Sequence, residues 1–244
     1  MMPPDGAPER TGALSSVSHP GREIAMADVG SQAIAGGRRA RLWAEFAGLY
    51  VAIPLAMAFA LPSDTLWWGL AGLFALAVLL LSLADGFSWR SLIAAPAVPD
   101  WPALAGFVAL AAAISVGLVL WLRPYALFGM PLHNRELWLA IMALYPLLSA
   151  FPQEVVFRVL FFRRYGALFN GSHLAIAANA AAFSLAHLFY WNWPAIVLTA
   201  LGGAVFAWAY REKGSFLFAW LLHAVAGQIV FTSGLGRYFY HGAI

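Results

Sequence analysis

The chain contains no cysteine. That single absence excludes disulfides, thiolate-bound metals and a cysteine nucleophile. Charge is almost as scarce. Fourteen basic and 11 acidic side chains make 10% of 244 residues, where a soluble domain carries about 25%. The basic residues stand singly or in pairs between apolar runs, never in the blocks that attract a phosphate backbone, so nucleic acid is excluded as a partner. Hydrophobic residues supply 62% of the chain and mean hydropathy is +0.76. A disordered chain and an ordinary soluble domain are both excluded, and the lipid bilayer is the expected surrounding.

Several intramembrane chemistries are missing as well. A zinc protease with a helical metal site needs His-Glu-x-x-His, and no His-Glu pair occurs. A membrane serine protease with Gly-x-Ser-Gly finds only Phe231-Thr232-Ser233-Gly234, where Phe231 fills the first glycine position. An aspartyl protease needs two aspartates within spans, but Asp64, Asp85 and Asp100 fall between apolar runs.

What remains is a succession of long apolar segments. We place spans at 42–61, 66–84, 103–122, 137–157, 173–190, 194–210 and 215–234. Each approaches the 17 to 25 residues that cross about 30 Å of hydrocarbon as a helix. The runs are continuous rather than alternating, so the expected fold class is an all-α polytopic membrane protein of about seven helices (six to eight). Residues 1–40 differ: they hold Asp5, Glu9, Glu23 and Asp28 among Gly, Pro and Ser, and read as a disordered cytoplasmic tail. Two further units follow, N-terminal helices over 41–136 and a core over 137–244. Trp67, Trp68, Trp101, Trp191 and Trp193 lie near span ends, as an interfacial belt requires. With the N-terminus inside, Arg38, Arg39, Arg41, Arg90, Arg158, Arg163, Arg164, Arg211 and Lys213 fall on the cytoplasmic side. Only Arg123, Arg135 and Arg237 fall opposite, which favours that orientation. Pro146 and Pro152 interrupt the fourth span, and a broken or re-entrant helix is expected there.

An ionisable side chain inside lipid is costly, so those within spans are functional candidates. Glu154 and Arg158 in Pro152-Gln153-Glu154-Val155-Val156-Phe157-Arg158 are four apart and share a helix face. A bland reading makes them an ion pair pinning a kinked helix. Phe183 and His187 are likewise four apart, with Asn179 one turn earlier. His223 is followed at four residues by Gly227 and then by Gln228. Each histidine taken alone reads equally well as a structural hydrogen-bonder. Together, one carboxylate and two histidines can deprotonate a water and stabilise the oxyanion of a peptide carbonyl, or hold a divalent metal. No cofactor is required, and a divalent metal stays open.

In this order and on these helices, Gln153-Glu154-x-x-x-Arg158, Phe183-x-x-x-His187 and His223-x-x-x-Gly227 resemble the motifs of the CPBP family, the CAAX proteases and bacteriocin-processing enzymes also called Abi proteins. The family pattern is Glu-Glu-x-x-x-Arg, Phe-x-x-x-His and His-x-x-x-Asn. Gln153 stands where the first glutamate is usual and Gly227 where asparagine is, and Gln-Glu resembles a bacterial subgroup. The resemblance covers roughly 137–234. It implies an intramembrane endopeptidase of a bacterial inner membrane, cleaving a membrane-associated protein or peptide near the cytoplasmic face. Its implied catalytic residues are Glu154 as base with His187 as partner, His223 polarising the carbonyl, Arg158 orienting Glu154 and Gln153 donating to water or substrate. Phe183, Gly227 and Gln228 are the implied substrate-binding positions. The alternative is an impaired member acting as an immunity or scaffold protein. A proton-coupled transporter is a third reading. No feature sets an oligomeric state. These span boundaries leave Glu154 and His187 roughly 15–20 Å apart in depth at 1.5 Å per residue.

Overall fold

The computed structural model describes residues 36–62, 65–94 and 100–239. All regular structure among them is helical. The helices are α1 (Gly36–Ala60), α2 (Leu66–Ser82), α3 (Trp101–Leu122), α4 (Arg135–Leu168), α5 (Ser172–Tyr190), α6 (Trp193–Arg211) and α7 (Phe216–Ser233). Six are long and apolar enough to cross a membrane, and α2, at 17 residues, is shorter. The protein is an all-α polytopic membrane protein. Most of the tail expected over 1–40 lies outside the described residues; Gly36 to Ala40 already belong to α1.

Side-chain caps set the helix starts. Asp100 accepts from the Ala103 N–H at α3, Asn134 from Leu137 at α4, Asn192 from Ala195 at α6 and Ser215 from Phe218 at α7. Each satisfies one of the first-turn N–H groups that have no partner inside their own helix. Gly234 closes α7 at φ 113°, where any side chain would strike the Ala126 carbonyl.

The helices alternate in direction, so charges far apart in sequence meet at one end. There Arg164 of α4 binds Glu45 of α1, Arg39 donates to the Leu168 carbonyl, Arg163 donates to the Asp85 carbonyl and Lys213 binds Asp100. Indole groups mark the opposite end, where Trp191 donates to the Ala58 carbonyl and Trp121 meets Trp193 edge-on.

The centre of the bundle is α4, and here the fold departs from expectation. The helix is not broken at its prolines but runs unbroken for 34 residues. At 1.5 Å per residue that is about 50 Å, well beyond the hydrocarbon thickness. Wide π-type turns at Pro146–Ala150 and Val155–Tyr165 absorb the prolines. A proline leaves the carbonyl four residues earlier without its donor. For Pro146 that carbonyl belongs to Met142, and the Gln228 amide of α7 donates to it at 2.9 Å. The Val156 carbonyl takes the Tyr50 hydroxyl at 2.7 Å, and the Phe157 carbonyl takes the Asn179 amide. Gln228 thus replaces the bond that Pro146 removes, and Tyr50 and Asn179 brace carbonyls of the second wide stretch, which lipid cannot do. Gln228, read from sequence as a substrate-binding position, is one of these braces.

Basic residues made α4 look shorter than it is. Arg158, Arg163 and Arg164 read as a cytoplasmic boundary, yet Arg158 is 0% exposed. Val155, Val156, Phe157, Val159, Leu160 and Phe161 around it are also buried, so this stretch is buried on all its faces. Glu154 therefore lies nineteen residues after Arg135 and fourteen before Leu168, at mid-helix rather than at the inner edge.

Candidate active site

Three helices bring polar groups to the buried centre. Glu154 comes from α4, immediately before the second wide stretch, and is 0% exposed. Its Oε1 lies 2.8 Å from His223 Nδ1 on α7. Its Oε2 lies 3.3 Å from Arg158 Nε, one turn along the same helix. Arg158 in turn donates from Nη1 to Asn179 Oδ1 of α5, and its guanidinium faces the Phe183 ring at 4.8 Å and the Phe206 ring at 5.7 Å. A buried charge is tolerated when paired and surrounded in this way.

Both imidazoles are held through Nδ1. His187 sits at the C-terminal cap of the Ser172–Ala186 helix, and its Nδ1 contacts the Phe183 carbonyl at 2.7 Å. A carbonyl only accepts, so Nδ1 carries the hydrogen and Nε2 keeps the lone pair. His223 is buried, stacked on Phe206 at 4.8 Å and 13° and set edge-on to Phe183. With Nδ1–H donated to the Glu154 carboxylate, its Nε2 is also an acceptor.

Phe183 is the spacer between the two. Its ring centroid is 4.6 Å from His187 and 5.4 Å from His223. It is buried at 1% exposure, so it shapes the site from beneath. A methyl on Gly203 would lie 3.0 Å from Phe183 and 3.3 Å from the Ala180 Cα, so glycine lets α6 press against α5 behind it.

The arrangement changes the expected pairing. No hydrogen bond joins Glu154 to His187 among the described residues; Glu154 holds His223 instead. The reason is depth. Glu154 at mid-α4 lies level with His223 in the second turn of α7, whereas His187 ends its helix nearer the indole-rich end. Gln153 also behaves differently from expectation. One amide N–H donates to Ser149 at 2.9 Å, while Oε1 is buried without a partner. That oxygen can accept a hydrogen bond from a water.

Gly227 adjoins the site through Tyr145. A methyl at residue 227 would overlap the Tyr145 ring and lie 2.6 Å from its hydroxyl oxygen. Tyr145, Phe206 and Ser149 carried no signal in the sequence. Asn179 was visible only as a polar residue one turn before Phe183. Among the described residues no three His, Cys, Asp or Glu side chains converge as a metal-binding group.

Chemically, the centre offers an imidazole oriented by a carboxylate, a second imidazole on the far side of an aromatic ring, and an amide oxygen able to hold a water. No curated protein and no solved structure matches the chain. A family described as Type II CAAX prenyl endopeptidase Rce1-like matches residues 135–227, the stretch holding Glu154, Arg158, Asn179, His187, His223 and Gly227. Through that segment the chain is similar to the CAAX-protease (CPBP) family of membrane endopeptidases.

Proposed function

We propose that this protein hydrolyses a peptide bond of a membrane-associated protein or peptide, and that it resides in a bacterial inner membrane. The observation that carries the reading is the 2.8 Å contact of the Glu154 carboxylate with His223 Nδ1, both buried between α4 and α7. A carboxylate in this position fixes the imidazole tautomer and stabilises the imidazolium that forms when Nε2 takes a proton. His223 Nε2 is then the base. It removes a proton from a water that Gln153 Oε1 helps to hold, the oxygen adds to the peptide carbonyl, and the same proton passes to the leaving amine. His223 thus takes the part that the motif pattern assigned to Glu154, and Glu154 becomes its orienter. Arg158 keeps Glu154 placed and balances its charge. His187, fixed through Nδ1, presents Nε2 to a polar hydrogen of water or substrate.

The test compares membrane proteomes from cells carrying the wild type, Glu154→Gln and His223→Ala at matched insertion levels. Processed N-termini present only with the wild type are expected to vanish in both variants. Unchanged N-termini in both would favour the scaffold or immunity reading instead. In a wild-type-dependent cleavage assay, removing the oriented base should cost about 10²–10⁴ in rate.

A further inference from the structure

Both imidazole Nε2 atoms are acceptors, and several of the other donors around them are engaged elsewhere. One Gln153 amide N–H goes to Ser149, one of Gln228 to the Met142 carbonyl, the Trp220 indole to the Pro146 carbonyl and the Trp138 indole to Thr232. Arg158 is fully buried beneath the Phe183 and Phe206 rings, out of a substrate's reach. Such a site can bind and activate water, and hydrolysis also requires a donor for the negative oxygen that forms when water adds to a carbonyl.

One hydroxyl fills that need. Tyr145 projects from α4 onto the stripe of α7 formed by His223, Gly227 and Phe231, residues spaced four apart on one face. Its ring centroid lies 6.1 Å from His223 and 5.8 Å from Phe231. The ring fits because residue 227 has no side chain; any Cβ there would overlap it. Its hydroxyl makes no hydrogen bond to a described residue, although the side chain is partly buried and lies between helices. A phenol in such a place ordinarily finds a partner.

We infer that Tyr145 is a catalytic residue whose O–H stabilises the oxyanion of the tetrahedral intermediate, in a pocket that Gly227 opens for it. The inference rests on the peptide hydrolysis proposed above. Water adds its oxygen to the carbonyl carbon and gives one proton to His223 Nε2. The carbonyl π electrons move to oxygen, which accepts a hydrogen bond from Tyr145; the tyrosine keeps its proton. When the intermediate collapses, the C–N bond breaks and the nitrogen takes the proton from His223.

The geometry also defines a rescue. An amide nitrogen of asparagine stands about 2.4 Å from its own Cβ by standard amide dimensions, close to the 2.6 Å that separates a Cβ at 227 from the tyrosine oxygen. An asparagine at 227 could therefore replace the phenol once the ring is removed.

The experiment follows the rate at which wild-type-dependent N-termini appear in membranes carrying full-length variants, with one such cleavage junction, made as a quenched fluorescent peptide, supplying kcat and KM. Tyr145→Phe keeps the ring and its packing, so kcat should fall about 10²–10³-fold with KM little changed, the size of effect seen when one oxyanion donor is lost. Tyr145→Ala with Gly227→Asn should recover at least tenfold over Tyr145→Ala alone. If Tyr145→Phe cleaves at the wild-type rate while His223→Ala is dead, the tyrosine assignment is overturned and the hydrolase reading stands. If His223→Ala also cleaves normally, the hydrolase reading falls and takes the tyrosine with it. A Tyr145→Phe defect confined to KM would mark substrate binding and overturn the oxyanion role.

Discussion

Arg41–Glu45 and Glu154–Arg158 are both oppositely charged pairs four residues apart on a helix, and they live under opposite conditions. The first pair has side chains 78% and 24% exposed; both members of the second are 0% exposed. Near the surface, water completes the solvation, and one further contact, from Arg164 of α4, ties α1 to the central helix. In the interior, neighbouring side chains take over only part of what water supplies outside, and Arg158 Nη2 has no hydrogen-bond partner. Glu154 takes His223, Arg158 takes Asn179, and two phenylalanine rings cover the guanidinium. The same local motif thus recruits one extra helix at the edge and three (α5, α6 and α7) at the centre. The groups that make the buried charge tolerable also hold the carboxylate and imidazole in fixed relation, so stability and site geometry rest on the same contacts.

The comparison breaks hardest at Arg158. Arg158→Leu leaves Glu154 buried with only His223 and strips Asn179 of a partner. Breaking a buried pair from one side costs about 3–5 kcal/mol, so the purified variant should unfold at markedly lower temperature or denaturant than the wild type. Glu154→Met combined with Arg158→Met should win back a substantial part of that loss, because a well-packed apolar pair carries no desolvation penalty. A single mutant as stable as the wild type would show that the interior charge is hydrated and that the contrast between the two pairs is illusory.

At the other pole, Glu45→Gln removes a carboxylate shared by Arg41 and Arg164. The expected loss is about 0–1 kcal/mol and should shrink as salt is raised, as for exposed pairs in general. A loss as large as that of Arg158→Leu, or one indifferent to salt, would mean that Glu45 is effectively buried.

The same contrast explains what could be read from the linear chain. Membrane residence, the helical class and the family motifs depend on composition and short spacings, and these are local. The extent of α4 was hidden because Arg158, Arg163 and Arg164 look alike in sequence, while only Arg158 turns inward to Asn179. Unbroken passage through Pro146 was hidden for a related reason: the compensating donor, Gln228, comes from a helix remote in sequence. Which histidine faces Glu154 depends on relative helix depth, and four-residue spacing says nothing about depth. Tyr145 was invisible among many aromatics; its signature was the missing side chain at Gly227, on another helix.

The smallest effect belongs to the basic end. Lys213 Nζ lies 2.9 Å from Asp100 Oδ2, clamping the start of α3 to the α6–α7 connection. The ammonium of Lys213 and then the Ala103 N–H hold the Asp100 carboxyl below the usual aspartate range. A carboxyl depressed in the folded state stabilises it fully above the unfolded value of about 3.9, and that contribution disappears as pH falls through the folded value. Asp100→Asn keeps the helix cap, since asparagine caps as well as aspartate, and removes only the charge. The wild type should therefore hold a small, constant advantage in thermal midpoint from pH 8 to pH 5, closing on acidification below about pH 4. An advantage unchanged at pH 3, or one that grows on acidification, would show that the charge pairing with Lys213 is not its source.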